Sequence, residues 1–230
     1  MTKVELTPAF LIHRRAFKNS SLLLDFFTRD FGKIRLVGRG LRGSKTNIQM
    51  FQNLSISFAG RGGLKALSYW EIDDVPRNFK GEELILGMYV NELISRLLHE
   101  QDPYSELFAQ YQKFVSQMGH LKQSAKYWHL RIFENNLLTE LGYGMCFTED
   151  INGNEIDQNS HYEYQPQAGF MPNSLGKISG KLINQLLIEA VEDVPDAQQL
   201  KVCRDLNRQR LSVLLDDKPL KSRSLFFIKQ

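Results

Sequence analysis

Cysteine is nearly absent from this 230-residue chain: only Cys146 and Cys203 occur, 57 positions apart. Two thiols cannot build a disulfide framework or a four-thiolate zinc site, so a reducing compartment, the cytoplasm, is the expectation. Long apolar runs are missing as well. None approaches the roughly 20 residues that a membrane-spanning helix needs. The opening stretch Met1-Thr2-Lys3-Val4-Glu5-Leu6-Thr7-Pro8 has no apolar core of an export signal. There is no internal repeat and no low-complexity tract. Catalytic constellations are lacking too. His13, His99, His120, His129 and His161 are scattered, and Cys146 has no nucleophile context. Asp150-Ile151-Asn152-Gly153-Asn154 lacks the ligand spacing and closing Glu of an EF-hand. No segment ends in the Gly-Lys-Ser/Thr of a phosphate-binding loop. These absences argue against an enzyme and give no reason to expect a cofactor or metal.

What is present is a charge asymmetry. Residues 1–65 hold 12 Lys/Arg and 3 Asp/Glu, leaving 17 and 23 for the rest, so an overall +3 conceals a +9 segment ahead of a −6 remainder. A one-ended excess of this kind points to a polyanion, and phosphate backbones are the usual one because neutralised phosphates release condensed counterions.

The same basic segment alternates in polarity and is rich in β-branched and aromatic residues. Five strands are expected, at Ala9–Phe17, Ser21–Thr28, Lys33–Gly38, Leu54–Ala59 and Leu64–Ile72. Turn residues separate them at 18–20, 29–32 and 60–63. Five short strands in about 70 residues fit a small closed barrel, since closure removes exposed edges. An OB-fold leads, with an SH3-like barrel as the rival. Beyond Val75-Pro76 the period becomes helical. Helices are expected over 82–100, from an Asp102 cap with Pro103 at the first position, over Ser124–Leu141 with Gly142 as stop, near Ser179–Val191, over Asp196–Leu215, and over Ser222–Ile228. The fold class is therefore α+β: residues 1–78 form a five-stranded barrel that binds the polyanion, and residues 79–230 form a helical domain with an irregular insert at about 143–176.

The strongest binding signal is Gly32-Lys33-Ile34-Arg35-Leu36-Val37-Gly38-Arg39-Gly40-Leu41-Arg42-Gly43-Ser44-Lys45. Lys33 and Arg35 share one strand face opposite Ile34 and Leu36. Arg39, Arg42 and Lys45 continue into a glycine-spaced loop where backbone can approach phosphate. Arg14, Arg15 and Lys18 on one side, and Arg61 and Lys65 on the other, would extend this surface. Phe10, Phe17, Phe26, Phe27, Phe31, Phe51 and Phe58 interleave with these cations. Single-strand binders stack bases on such rings, although most of these belong to a barrel core, with Phe51 the least certain to be buried. Lys201, Arg204 and Arg208 share a helix face, which reads first as a solvated one. Lys218-Pro219-Leu220-Lys221-Ser222-Arg223 is a stiff basic run near the end. Arg131, among Tyr127-Trp128-His129-Leu130 and Ile132-Phe133, can hold a carboxylate while apolar neighbours hold side chains, or be an ordinary helix arginine packing by its stem. Barrel and charge leave DNA and RNA unseparated, so an RNA-binding OB module is the alternative function.

Several ordered blocks resemble the bacterial recombination mediator family RecO. They are Ser20-Ser21-Leu22-Leu23-Leu24-Asp25-Phe26-Phe27-Thr28, the 32–42 segment, Tyr89-Val90-Asn91-Glu92-Leu93-Ile94-Ser95-Arg96-Leu97-Leu98, Leu141-Gly142-Tyr143-Gly144, and 218–226. The resemblance implies an OB-fold followed by a helical domain. It implies a non-enzymatic protein that binds single- and double-stranded DNA, for which charge and pattern make Arg14, Arg15, Lys33, Arg35, Arg39, Arg42, Lys45, Arg61, Lys65, Lys218, Lys221 and Arg223 the candidate contacts. It implies strand annealing, and with RecR the loading of RecA onto strands coated by single-strand-binding protein. It also implies that Arg131, with Phe133, grips the acidic C-terminal tail of that protein. Many members carry a four-cysteine zinc site after Leu-Gly-Tyr-Gly. Here residues 145–172 contain Cys146 alone, so such a site is excluded, and packing by Phe147, Tyr162, Tyr164 and Phe170 is expected instead.

Overall fold

A computed structural model describes residues 2–43, 48–61, 64–166, 168–188, 194–216 and 218–225. Lys45 and the expected helical residues 189–191 and 226–228 lie outside them. The chain divides into two compact units, His120–Lys218 and the residues on either side of it, Met1–Gly119 with Pro219–Gln230. The second unit is thus inserted between two segments of the first. The strand-to-helix change at 78/79 is a change of element type, and the first two helices belong to the unit that holds the barrel.

Five strands, β1 (Thr2–Phe17), β2 (Ser21–Thr28), β3 (Gly32–Gly38), β4 (Asn53–Gly60) and β5 (Lys65–Ile72), close into a barrel in the order β1-β2-β3-β5-β4. Period-2 patterning does this. On β3, Ile34 and Leu36 point inward while Lys33, Arg35 and Val37 alternate outward. The interior is filled by Ala9, Leu11, Leu24, Phe26, Ile34, Leu36, Leu54, Ile56 and Phe58, with Ile48 from the long loop. β1 begins well before the expected Ala9. It runs through Pro8 because it changes partners there: Thr2–Phe10 pairs with β4 and Ala9–Phe17 with β2, with an irregularity in register between Val4 and Thr7. Proline is tolerated at such a site.

Helices α1 (Gly81–Leu97) and α2 (Ser105–Met118) cover the outside of β1 and β2. Phe10 and Phe27 meet Phe108 at 5.5 and 5.4 Å between ring centroids and Tyr111 at 4.9 and 6.1 Å. Coverage on both faces explains why β2 is apolar from Leu22 to Phe27 apart from Asp25. A buried node ties the layers together: Tyr111 Oη donates to Asn91 Oδ1 at 2.6 Å, and Asn91 Nδ2 donates to the Ile12 carbonyl at 3.3 Å. Phe51 is buried, its ring edge filling the space where a side chain at Gly87 would sit. α2 starts later than its Asp102-Pro103 signal. Residues 100–102 are held along β3 instead: Gln101 N–H donates to the Lys33 carbonyl at 2.9 Å, and the Asp102 carbonyl lies where a Cβ on Gly32 would be. Gly32 therefore needs to be glycine both for that approach and for its φ of 59°.

The last described helix, α6 (Lys221–Leu225), docks on α1. Glu92 accepts from the Lys221 and Ser222 amides at 2.9 and 2.8 Å and from Ser222 Oγ at 2.6 Å, while Arg96 donates to the Pro219 carbonyl at 3.1 Å. Burial pushes the Glu92 pKa up, but the Ser222 and Lys221 hydrogen bonds and nearby Arg96 outweigh it and hold the carboxyl below its ordinary range. The latch therefore contributes above the unfolded value of about 4.3 and is lost as pH falls through the lower folded value. Glu92→Ala is expected to leave the barrel intact but to lower hydrogen-exchange protection factors of the amides of 220–225 by about tenfold or more, as acidification does in wild type. Unchanged protection in the variant would refute the latch.

In the second unit, α3 (Gln123–Leu138) passes through a π-type turn at Thr139–Tyr143 and stops at Gly142, whose φ is 81°. α4 (Gly180–Ile188) and α5 (Ala197–Leu214) follow, with Asp196 capping α5 through the Gln199 amide at 2.8 Å. The segment expected to be irregular contains a three-stranded antiparallel sheet of β6 (His161–Gln165), β7 (Gly169–Pro172) and β8 (Ile178–Ser179), ordered β7-β6-β8. Strands of two to five residues are too short to display alternation. Phe147, Tyr162 and Phe170 are buried with Trp128, Ile132 and Cys203, and Tyr164 packs against them, so an apolar cluster holds this region. Burial pushes the Cys203 thiol up to about 12, leaving it inert at neutral pH.

Candidate nucleic-acid interface

A rim of cations forms at one end of the barrel. Register slips between Leu11 and His13, and beyond that irregularity Arg14 lies opposite Leu24 and Arg15 opposite Leu23. Those residues pair in turn with Leu36 and Val37, so the end of β1 and the end of β3 flank β2. Lys18 sits in the β1–β2 turn. The loop after β3 is stitched to that turn: Arg42 N–H donates to the Ser20 carbonyl and Arg42 Nη1 to the Lys18 carbonyl, both at 3.0 Å. Arg39 precedes it. Arg14, Arg15, Lys18, Arg39 and Arg42 are exposed and have no ion pair among the described residues.

The acids of this segment are already spent elsewhere. Glu5 pairs with Lys3 and Asp30 with Arg29. Asp25 is buried between His13, at 3.6 Å, and Arg35, which binds both its oxygens. Each of the three carboxylates of residues 1–65 is thus already paired among the described residues.

Two residues expected on the phosphate track are engaged internally. Lys33 Nζ donates to the Ser95 carbonyl at 2.6 Å, satisfying the C-terminal end of α1, and burial pushes its pKa down against the raising pulls of Glu100 and Asp25. Arg35 is held by Asp25, with Glu100 at 3.7 Å, and the Asp25 hydrogen bond raises its pKa. Both stand on the expected face, but helix α1 and residues 99–101 occupy it. The expected turn at 29–32 would set Asp25 opposite Leu36; because Gly32 already belongs to β3, the turn is one residue shorter and Asp25 falls opposite Arg35. Glu100 and Ser95, over 60 positions away, were not legible as partners.

The other candidates are dispersed. Lys65 sits opposite Leu36 on the parallel β5, so the exposed Arg61 before it lies toward the start of β3, away from the rim. Lys65 Nζ donates to Gln101 Oε1 at 3.3 Å. Lys218 lies in the inserted unit, 3.8 Å from Asp216. Lys221 is exposed and Arg223 half-buried on α6. Arg131 is 6% exposed and Phe133 2%. The carboxylate that Arg131 holds is its own chain's Glu134, at 2.9 Å. Asn207 Nδ2 donates to that carboxylate at 3.0 Å, and Arg210 donates to Asn135 Oδ1 at 3.0 Å and to the Tyr143 carbonyl at 2.6 Å. This buried network joins α3, its π-type turn and α5. Among the described residues no group of three His, Cys, Asp or Glu is placed to hold a metal, and no helix is long and apolar enough to cross a membrane.

A five-stranded OB barrel with exposed cations at one end, followed by a helical region, defines the class of protein: an OB-barrel protein with a helical C-terminal part. Residues 1–75 match the family described as recombination protein O N terminal, and residues 79–223 the one described as recombination protein O C terminal. Similar proteins include the DNA repair protein RecO of Coxiella burnetii (strain RSA 493 / Nine Mile phase I), 38% identical over 237 residues that cover 99% of this chain and 100% of that one. Those of Psychromonas ingrahamii and Escherichia coli O1:K1 / APEC are 37% and 34% identical, covering 98% and 95% of this chain and 99% and 92% of theirs. The chain belongs to the RecO family of DNA repair and recombination proteins.

Proposed function

We propose that this protein is a non-catalytic recombination mediator of the cytoplasm and nucleoid. It binds single- and double-stranded DNA, anneals complementary strands and, with RecR, helps load RecA onto strands coated by single-strand-binding protein. The observation that carries this reading is the rim, where Arg14, Arg15, Lys18, Arg39 and Arg42 are exposed while the acids of the same segment are paired away. Cations in that state are available to displace counterions from phosphates. The inserted unit is the proposed seat of the single-strand-binding protein's acidic tail. Arg131 and Phe133 serve that site as its framework, because one is paired and both are buried.

The test is annealing of complementary strands precoated with single-strand-binding protein, alongside salt titration of direct binding. Annealing should accelerate, and should fall back when the coating protein lacks its tail. Log affinity for bare single strands should fall linearly with log salt, with a slope of about −0.7 per neutralised phosphate. Salt-independent binding without annealing would overturn the proposal, and tighter binding of a matched RNA oligomer would transfer it to an RNA module.

A further inference from the structure

We infer that Phe17 is a base-stacking platform that gives this rim its preference for single strands; the inference rests on the DNA-binding reading above. Most of the barrel's aromatic rings are committed to packing. Phe10, Phe26, Phe27, Phe51 and Phe58 are buried, Phe31 packs edge-on to Phe58 at 5.5 Å, and Trp70 packs on the interior cluster. Phe17 and Tyr69 stay outside that cluster. Tyr69 is 50% exposed, but its hydroxyl donates to Glu71 at 3.2 Å, and a carboxylate beside the ring repels a polyanion.

Phe17 has the opposite surroundings. It is the last residue of β1, only partly buried, two positions beyond Arg15 and therefore on the same strand face. Lys18 Nζ lies 5.5 Å from its ring centroid. The Lys18 carbonyl is itself held by Arg42 at 3.0 Å, which brings the loop after β3 beside the ring. A half-exposed ring among cations that lack carboxylate partners meets the two requirements of single-strand binding together: a backbone track and a face for an unpaired base. Lys18, on a flexible stem, can leave the ring for a phosphate when a base takes its place. In duplex DNA the bases are stacked on one another, so the ring adds nothing there.

The experiment compares a thymidine oligomer with an abasic strand of the same length, so that phosphates are constant. Wild type should prefer the thymidine strand by about 5- to 140-fold, the worth of one stacked base. Phe17→Leu, which keeps the apolar bulk but loses the π face, should abolish that preference, while duplex affinity and the salt slope stay within twofold. Phe17→Trp should preserve the preference, and Tyr69→Leu should not alter it. A Phe17→Leu protein that retains the preference overturns the inference alone. Failure of wild type to bind either strand overturns the DNA reading and the inference with it.

Discussion

Arg131→Ala is expected to destabilise the inserted unit by about 3–5 kcal/mol, as breaking a buried ion pair from one side does. Glu134 is fully buried, and its carboxylate is satisfied by Arg131 at 2.9 Å and Asn207 at 3.0 Å. Removing the guanidinium takes the charged partner from a buried carboxylate in an environment that cannot solvate it. The damage spreads, because Asn207 also donates to the Arg131 carbonyl at 3.2 Å and its own Oδ1 is near Arg210. Urea unfolding followed at Trp128, buried in the same unit's core, reports the loss. The pair Arg131→Met with Glu134→Leu should recover a large part of it, since replacing both partners with apolar groups is far cheaper than orphaning one. A single variant as stable as wild type would show that the Arg131–Glu134–Asn207 network is not holding α3 to α5. This also governs how tail binding is read. A loss of peptide affinity in Arg131→Ala reports the framework as well as the contact, and only the double variant, folded but without the guanidinium, separates them.

The sequence made the barrel legible because its strands obey period 2 and its turns carry Gly, Asn and Lys/Arg. β2 and β3 fall within a residue of expectation. Most of the misplaced features trace to partners far away in sequence. β1 continues through Pro8 because β4 takes it up. α2 ignores its Asp102-Pro103 start because β3 captures residues 100–102. Lys33 and Arg35 carry the right charge on the predicted face, yet Ser95, Asp25 and Glu100 consume it. Arg131 reads two ways, as a holder of a partner protein's carboxylate or as an ordinary helix arginine; in the fold it pairs with Glu134, three residues away on its own helix. Local pattern fixes which way a side chain points; what it finds there is a tertiary property.

That distinction yields a second large effect. Replacing Arg14, Arg15, Arg39 and Arg42 together by glutamine removes four exposed cations, so the salt slope for single-stranded DNA should flatten by about 3, at about 0.7 per phosphate. Between 50 and 200 mM salt wild type would then lose roughly fifty-fold more affinity than the variant. Thermal stability should hardly change, since none of the four has an ion pair among the described residues and only Arg42 has a side-chain hydrogen bond there. Lys33→Gln with Arg35→Gln should do the reverse. Its slope should stay within about 1 of wild type, while stability falls as buried Asp25 and the end of α1 lose their partners. Salt titration and melting of the two variants side by side distinguish the cases. If the inner pair flattens the slope as much as the rim set does, the DNA crosses the face that α1 covers, and α1 must lift away for binding. If neither set changes it, the phosphates are held elsewhere, on Arg61, the α6 cations or the inserted unit.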